Sequence, residues 1–168
     1  MKNLLYTYIE SPVGQLLVAG DEEALHFLSF PTGNKAFRPR DEWRCAAPRF
    51  STVRQQLSAY FARELRCFDL PLRLSGTSFQ NGVWRYLSGI PFGETRTYSQ
   101  VALALGHPSA CRAVGAANGK HPLPIFLPCH RVVGADGSLT GFGGGLQTKE
   151  FLLRLEGAIS PTPKSEAL

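Results

Sequence analysis

Residues 97–118 read TYSQVALALGHPSACRAVGAAN, and this stretch decides the fold. Thr97 or Ser99 begins a helix whose Val101, Ala102 and Leu105 face inward. Gly106-His-Pro108 breaks that helix, and Ser109 caps the next one, which runs to about Asn118. Helix, tight glycine-containing turn, helix is the helix-turn-helix pattern. The second helix carries Ala110, Ala113, Gly115, Ala116 and Ala117, so another surface can approach its backbone closely. Small residues also permit tight packing inside a domain. The pattern by itself therefore leaves DNA contact and plain helix packing both open.

Upstream, Thr77 or Ser78 caps a helix that turns Phe79, Val83, Trp84 and Leu87 inward, and Ile90-Pro-Phe-Gly93 ends it. Downstream lies Phe126-Leu-Pro-Cys-His-Arg-Val-Val133. Cys129 stands there between a proline that fixes the backbone and a histidine–arginine pair. An ionised thiol is a strong soft nucleophile, and a nearby basic partner favours the ionised form. A buried structural cysteine in a strand is the competing reading. His130 is next in sequence, but neighbours on an extended backbone point to opposite faces. A water bridging the two side chains is thus the natural relay. Ala135-Asp-Gly-Ser138 is a hairpin-type turn. Gly141-Phe-Gly-Gly-Gly145 is a glycine-rich turn, and a last helix spans about residues 147–156.

The first half reads differently. Leu4–Ile9 and Gln15–Ala19 flank the turn Ser11-Pro-Val-Gly14 and predict a hairpin; Ala24–Phe30 is a third strand. From Ser51 the period becomes helical, with Val53, Leu57, Tyr60, Phe61 and Leu65 on one face. Phe68–Gly76 is an extended linker. The expected organisation is an α/β supporting domain over residues 1–75. A mostly helical, winged helix-turn-helix-like domain follows over 76–158, and then a loose tail over 159–168.

A chain of 168 residues with 43% hydrophobic residues and 11 phenylalanines can build a real core. No stretch approaches the ~20 apolar residues of a membrane span, and the start carries no signal-peptide pattern. The four cysteines, at 45, 67, 111 and 129, form no close pairs. That argues against a disulfide framework and a CxxC zinc site, and fits a reducing, cytoplasmic setting. The net charge is +5. Between residues 77 and 149 six basic residues (Arg85, Arg96, Arg112, Lys120, Arg131, Lys149) face two acidic ones (Glu94, Asp136). Such an excess suits a polyanion such as nucleic acid.

Taken in order, Tyr98, Arg112, Pro128-Cys-His-Arg131, Gly-Gly-Leu146, Lys149 and Glu156 form a pattern that resembles the O6-alkylguanine-DNA alkyltransferases. The resemblance covers roughly residues 77–157 in unbroken register. It implies direct repair, in which Cys129 takes the alkyl group from O6-alkylguanine (or O4-alkylthymine) in DNA. The displacement at an sp³ carbon needs no metal or cofactor, and a thioether has no second thiol to resolve it, so each molecule reacts once. The resemblance gives His130 the role of base through water, with Glu156 behind it, and gives Tyr98 that of proton donor to the departing guanine. Arg112 becomes the side chain that fills the gap left by a flipped base, on a helix entering the minor groove of double-stranded DNA. Ser109, Ala110 and Arg96 join Tyr98 and Arg112 as expected DNA contacts. Phe142, Gly143, Gly144, Val132, Asn118 and Lys149 are the expected pocket, and a monomer the expected state.

Departures from the family pattern carry their own expectations. His121 stands where the family has an asparagine that links the recognition helix to the active-site turn. A neutral imidazole, with one donor and one acceptor, replaces that amide only in part. Phe142 and Gly143 stand where members often have tyrosine and serine, which predicts a roomier pocket. Three other readings compete: a papain-like cysteine hydrolase, a damage sensor lacking transfer, and a sequence-specific regulator. The hydrolase normally draws its histidine from a distant segment, the sensor lacks the cysteine, and the regulator needs base-reading polar side chains that the Ala/Gly helix does not offer.

Overall fold

The structure, a computed structural model, describes residues 3–33, 36 and 38–159. The expected hairpin is present: β1 (Leu5–Ile9) and β2 (Leu16–Gly20) pair antiparallel, from Leu5 opposite Gly20 to Ile9 opposite Leu16. Gly14 makes the turn possible at φ +100°, a conformation only glycine adopts cheaply. β3 (Leu25–Ser29) joins β2 antiparallel, and the short β4 (Arg44–Cys45) joins β1 in parallel, for an order β3-β2-β1-β4. Every residue of β2 is buried, because both faces are covered. Leu16 and Val18 pack with Val53, Leu57 and Tyr60 of α1 (Ser51–Phe61), while Ala19 packs with Leu4 and Trp43. α1 stops at Phe61, and Arg63 follows at φ +65°. Leu65, expected on the helix, packs onto the core from the loop beyond.

The linker is extended, as its alternation suggests, but it is also anchored. Leu25 N–H donates to Pro71 O and Arg73 N–H to Leu25 O, both at 2.8 Å, so Leu72 adds to the sheet beside β3. Leu72 and Leu74 touch the cores of both halves. The first core also takes in Leu123, Ile125, Phe126 and Leu152, so it is completed by residues far along the chain.

In the second half, α2 (Ser78–Leu87) and α3 (Tyr98–Ala104) begin with matching capping boxes. Thr77 and Thr97 accept the N–H of Gln80 and Gln100, whose side chains reach back. Each cap is worth about 1 kcal/mol. α4 (Cys111–Lys120) does not begin as expected. Ala110 is its N-cap, Ser109 is exposed and makes no cap, and the helix continues two residues past Asn118. The backbone starts it instead: Ala110 N–H bonds His107 O at 2.9 Å. The Ala135–Ser138 turn closes through Gly134 N–H to Ser138 O, but no strand follows it among the described residues. β6 (Val132–Val133) pairs instead in parallel with β5 (Arg96–Thr97). α5 (Leu146–Leu155) ends the fold. The tail expected to be loose lies, from residue 160 on, outside the described residues.

Candidate active site

Pro128 leads into a single turn of 3-10 helix over Cys129–Arg131, not the extended backbone expected there. The difference matters chemically. Three residues per turn send three consecutive side chains in three directions. Strand alternation would have put 130 and 131 on opposite faces, yet both reach one carboxylate. His130 Nε2 lies 2.7 Å from Glu156 Oε2. Arg131 forks onto the same group, Nε to Oε1 at 2.8 Å and Nη2 to Oε2 at 2.9 Å, and its Nη1 donates to Ile90 O. Tyr60, from α1, donates to Glu156 Oε2 at 2.5 Å. His130 and the Glu156 side chain are fully buried.

Burial alone raises the Glu156 carboxyl, but the hydrogen bonds and charges of His130 and Arg131 outweigh it and hold the pKa at about 2. His130 is pushed below its ordinary value, first by burial and then by the charges of Arg131 and Lys149, against the pull of Glu156. The ring is therefore a neutral base at neutral pH. An ionised Glu156 only accepts, so Nε2 carries the proton and Nδ1 is the basic atom. Nδ1 is buried without a hydrogen-bond partner among the described residues.

Cys129 lines a cleft of about 210 Å³. Its walls are Phe27–Phe30 at the end of β3, the segment from Asn118 to Pro124, and Gly141–Gly143. Asn118 Nδ2 donates to Cys129 O at 3.2 Å and fixes the nucleophile's backbone. The end of α4 is thus tied to the thiol turn by Asn118. His121, expected to make that link, accepts Leu123 N–H at Nδ1 and forms part of the cleft wall.

The expected pocket residues divide. Asn118, Phe142 and Gly143 line the cleft; Gly144, Val132 and Lys149 do not. Gly144 is bare for packing: a Cβ there would lie 2.6 Å from the Phe30 ring. Lys149 is wholly buried, and its Nζ donates to Val132 O at 2.7 Å and Thr140 O at 2.8 Å. Burial lowers Lys149 to about 8, while attraction to the Cys129 sulfur raises it. The cation sits behind the nucleophile, not on a helix surface.

β5–β6 pairing sets Arg96 opposite Val132 and Thr97 opposite Val133, so Tyr98 starts α3 directly after the strand beside the thiol turn, though it does not line the Cys129 cleft. Tyr98 Oη lies 2.9 Å from Thr140 Oγ1, and its ring packs on Gly115. On α4, Arg112, Ala113, Ala116 and Lys120 are exposed, while Val114, Ala117 and Asn118 face inward. Ala117 is small for packing, since its carbonyl accepts Trp84 Nε1 at 2.8 Å. Arg96 is bound to Glu94 at 3.0 Å. With Arg131 and Lys149 buried as well, the basic excess of this half lies at its surface mainly in Arg85, Arg112 and Lys120.

Sequence reasoning missed Tyr60, the fork of Arg131, and the β3 wall of the cleft. Tyr60 carried one usable signal, a hydroxyl on an otherwise apolar helix face, which a core can hold only with a partner.

Comparison with known proteins places this geometry. The 6-O-methylguanine DNA methyltransferase ribonuclease-like domain matches residues 4–74, and the DNA binding domain of the same name matches 78–158. The chain is 50% identical over 155 residues to the methylated-DNA–protein-cysteine methyltransferase of Methanosarcina acetivorans, covering 92% of this chain and 99% of that protein. It superposes on the Mycobacterium tuberculosis O6-methylguanine methyltransferase with a TM-score of 0.85 at 45% identity, over 96% of this chain and 98% of the other. The crystal structure of the M. tuberculosis OGT in complex with DNA gives the same score and identity, over 95% and 96%.

Proposed function

The chain belongs to the 6-O-methylguanine DNA methyltransferase family, and we propose that it repairs DNA by moving the alkyl group of O6-alkylguanine or O4-alkylthymine onto Cys129. One observation carries this reading. Cys129 opens on a cleft while the residue beside it, His130, is a buried neutral base backed by an ionised carboxylate. The thiol proton passes through a water to His130 Nδ1, and Glu156 stabilises the imidazolium that forms. The sulfur lone pair then forms a bond to the alkyl carbon as the carbon–O6 bond breaks, its electrons leaving on O6. Tyr98 Oη supplies a proton to the departing base. Lys149 steadies the thiolate from behind. The thioether is stable, so the protein is consumed in one turnover.

The base reaches the thiol only after leaving the duplex. Exposed Arg112, beside the small exposed residues Ala113 and Ala116, suits close entry of α4 into the minor groove and insertion into the vacated stack. Ser109 and the half-buried Ala110 lie at the start of the same helix. Each copy carries every residue of the site, so a monomer acts alone, in a reducing compartment such as the cytoplasm where four free cysteines persist. With Phe142 and Gly143 in the wall, the cleft takes alkyl groups larger than methyl.

The test is intact-protein mass after incubation with a duplex carrying one O6-methylguanine. The expected result is one methyl in place of one hydrogen, mapped to the peptide with Cys129, with no second turnover. Catalytic turnover of an acyl substrate, or an unmodified Cys129, overturns the proposal.

A further inference from the structure

Glu156 Oε2 is oversubscribed. It receives Tyr60 Oη at 2.5 Å, His130 Nε2 at 2.7 Å and Arg131 Nη2 at 2.9 Å. A carboxylate oxygen offers about two lone pairs, so three donors compete for its charge. Two of the three come from the thiol turn. The third comes from α1, in the half of the chain that carries none of the reacting groups. We propose that Tyr60 is a positioning residue that sets the basicity of His130 through Glu156. The inference rests on the repair reading above, and it gives the N-terminal half a part in the chemistry beyond support.

Tyr60 is fitted for this task. Its ring is boxed by Phe61, Phe68 and Phe92, with centroids 5.2, 5.3 and 6.1 Å away, so the hydroxyl has a fixed aim. Burial, then the negative Glu156, keep the phenol protonated far above its ordinary range, so it only donates. Each share of Oε2 charge taken by Tyr60 is withheld from His130 Nε2–H. The imidazolium is thereby less stabilised, and the ring stays neutral with Nδ1 ready to accept. The other charges facing His130 are Arg131 on its own turn and Lys149 on α5, both opposing its protonation, with Glu156 favouring it. Cys129 is the remaining titratable group of the turn. Arg66 lies further out, over Phe92.

The experiment is the pH profile of Cys129 alkylation by a duplex carrying O6-methylguanine, read by mass in single-turnover conditions, for wild type, Tyr60→Phe, and a variant with a fluorinated tyrosine installed at position 60 alone. Tyr60→Phe strengthens the hold of Glu156 on His130, and the acid limb moves up by about 0.5–1 pH unit. The fluorinated phenol is a stronger donor of nearly the same shape and moves the limb down. Histidine ring nitrogen resonances titrate in the same two directions. In a Glu156→Gln background, Tyr60→Phe moves the limb no further. A loss of rate that is uniform in pH, or limbs that stay in place in both variants, overturns the inference and leaves Tyr60 a packing residue. Should Tyr60→Phe fold poorly, the fluorinated variant alone decides. Wild type that fails to react at all sinks the repair reading instead, so the two failures are distinct.

Discussion

Replacing Lys149 with methionine separates its structural from its chemical role. The substitution keeps an unbranched chain of similar length and removes one buried charge. Two charge-assisted hydrogen bonds vanish, at 2.7 and 2.8 Å, each worth about 1.5–3 kcal/mol. Against this stands the cost of burying the ammonium. Its depression from 10.5 to about 8 corresponds to about 3.5 kcal/mol, at ~1.4 kcal/mol per pH unit. The two nearly offset, and the expected net destabilisation is about 0–2.5 kcal/mol. The chemical effect is read separately. A thiolate that loses its neighbouring cation becomes harder to form by on the order of one pH unit, or tenfold in thiolate at neutral pH. The assay is the pH dependence of Cys129 carbamidomethylation by iodoacetamide, resolved by peptide mass. This small reagent needs no DNA, so altered binding cannot mimic the result. The midpoint rises in Lys149→Met, while the exposed Cys45 and Cys67 keep theirs. An unmoved Cys129 midpoint in a folded variant refutes an electrostatic role for Lys149 and leaves it as a strut between Val132 and Thr140.

Glu156→Gln deprives Arg131 of its buried partner and destabilises the fold by about 3–5 kcal/mol in urea unfolding at pH 7. The carboxyl is held at about 2 in the fold, well below its ordinary 4.5, so its contribution is complete above that ordinary value. It is lost as pH falls through the window towards 2, and the gap between wild type and variant narrows on acidification; a gap constant with pH contradicts the ionised assignment. Arg112→Ala lowers reaction with a lesion duplex by about tenfold or more relative to the free alkylated base, since filling the stack offsets an unstacking cost of a few kcal/mol. If Arg112 instead contacts phosphate, the salt slope of duplex binding falls by about 0.9, which titrations at several salt concentrations will reveal. Gly144→Ala drives a Cβ into the Phe30 ring and lowers both stability and labelling rate; Phe30→Leu in the same chain recovers part of the stability, and strict additivity in thermal unfolding rejects the contact.

Local rules explain why most elements could be read from the sequence. The hairpin of β1 and β2 follows from alternation around a glycine turn, and α2 and α3 start where a Thr-x-x-Gln box satisfies orphan N–H groups. Misreadings occur where a distant partner decides. Ser109 is an exception of a local kind: α4 starts one residue later, after a backbone turn from Ala110 N–H to His107 O. Ala135–Ser138 reads as a hairpin-type turn, yet β6 just before it pairs with β5, more than thirty residues earlier. Leu72 reads as a linker residue because nothing nearby reveals that Leu25 offers it an open sheet edge.

The site is legible to the extent that its chemistry is local. Cys129, His130 and Glu156 belong to recognisable short motifs, and the structure brings the last two within 2.7 Å. What stayed hidden is charge placement. Arg131 and Lys149 counted as cations for a polyanion, because a formula charge carries no burial. Inside the fold they do opposite work: one neutralises Glu156, the other lies behind the sulfur, and both discourage protonation of His130. Putting Glu156 in a dry interior requires donors on every side, and the thiol turn supplies only His130 and Arg131. Beyond the turn, Gly93 N–H reaches Oε1 at 3.5 Å, and α1 supplies the short bond to Oε2 with Tyr60. The buried carboxylate thus joins α1 to the thiol turn, beside an apolar core that draws residues from both halves of the chain.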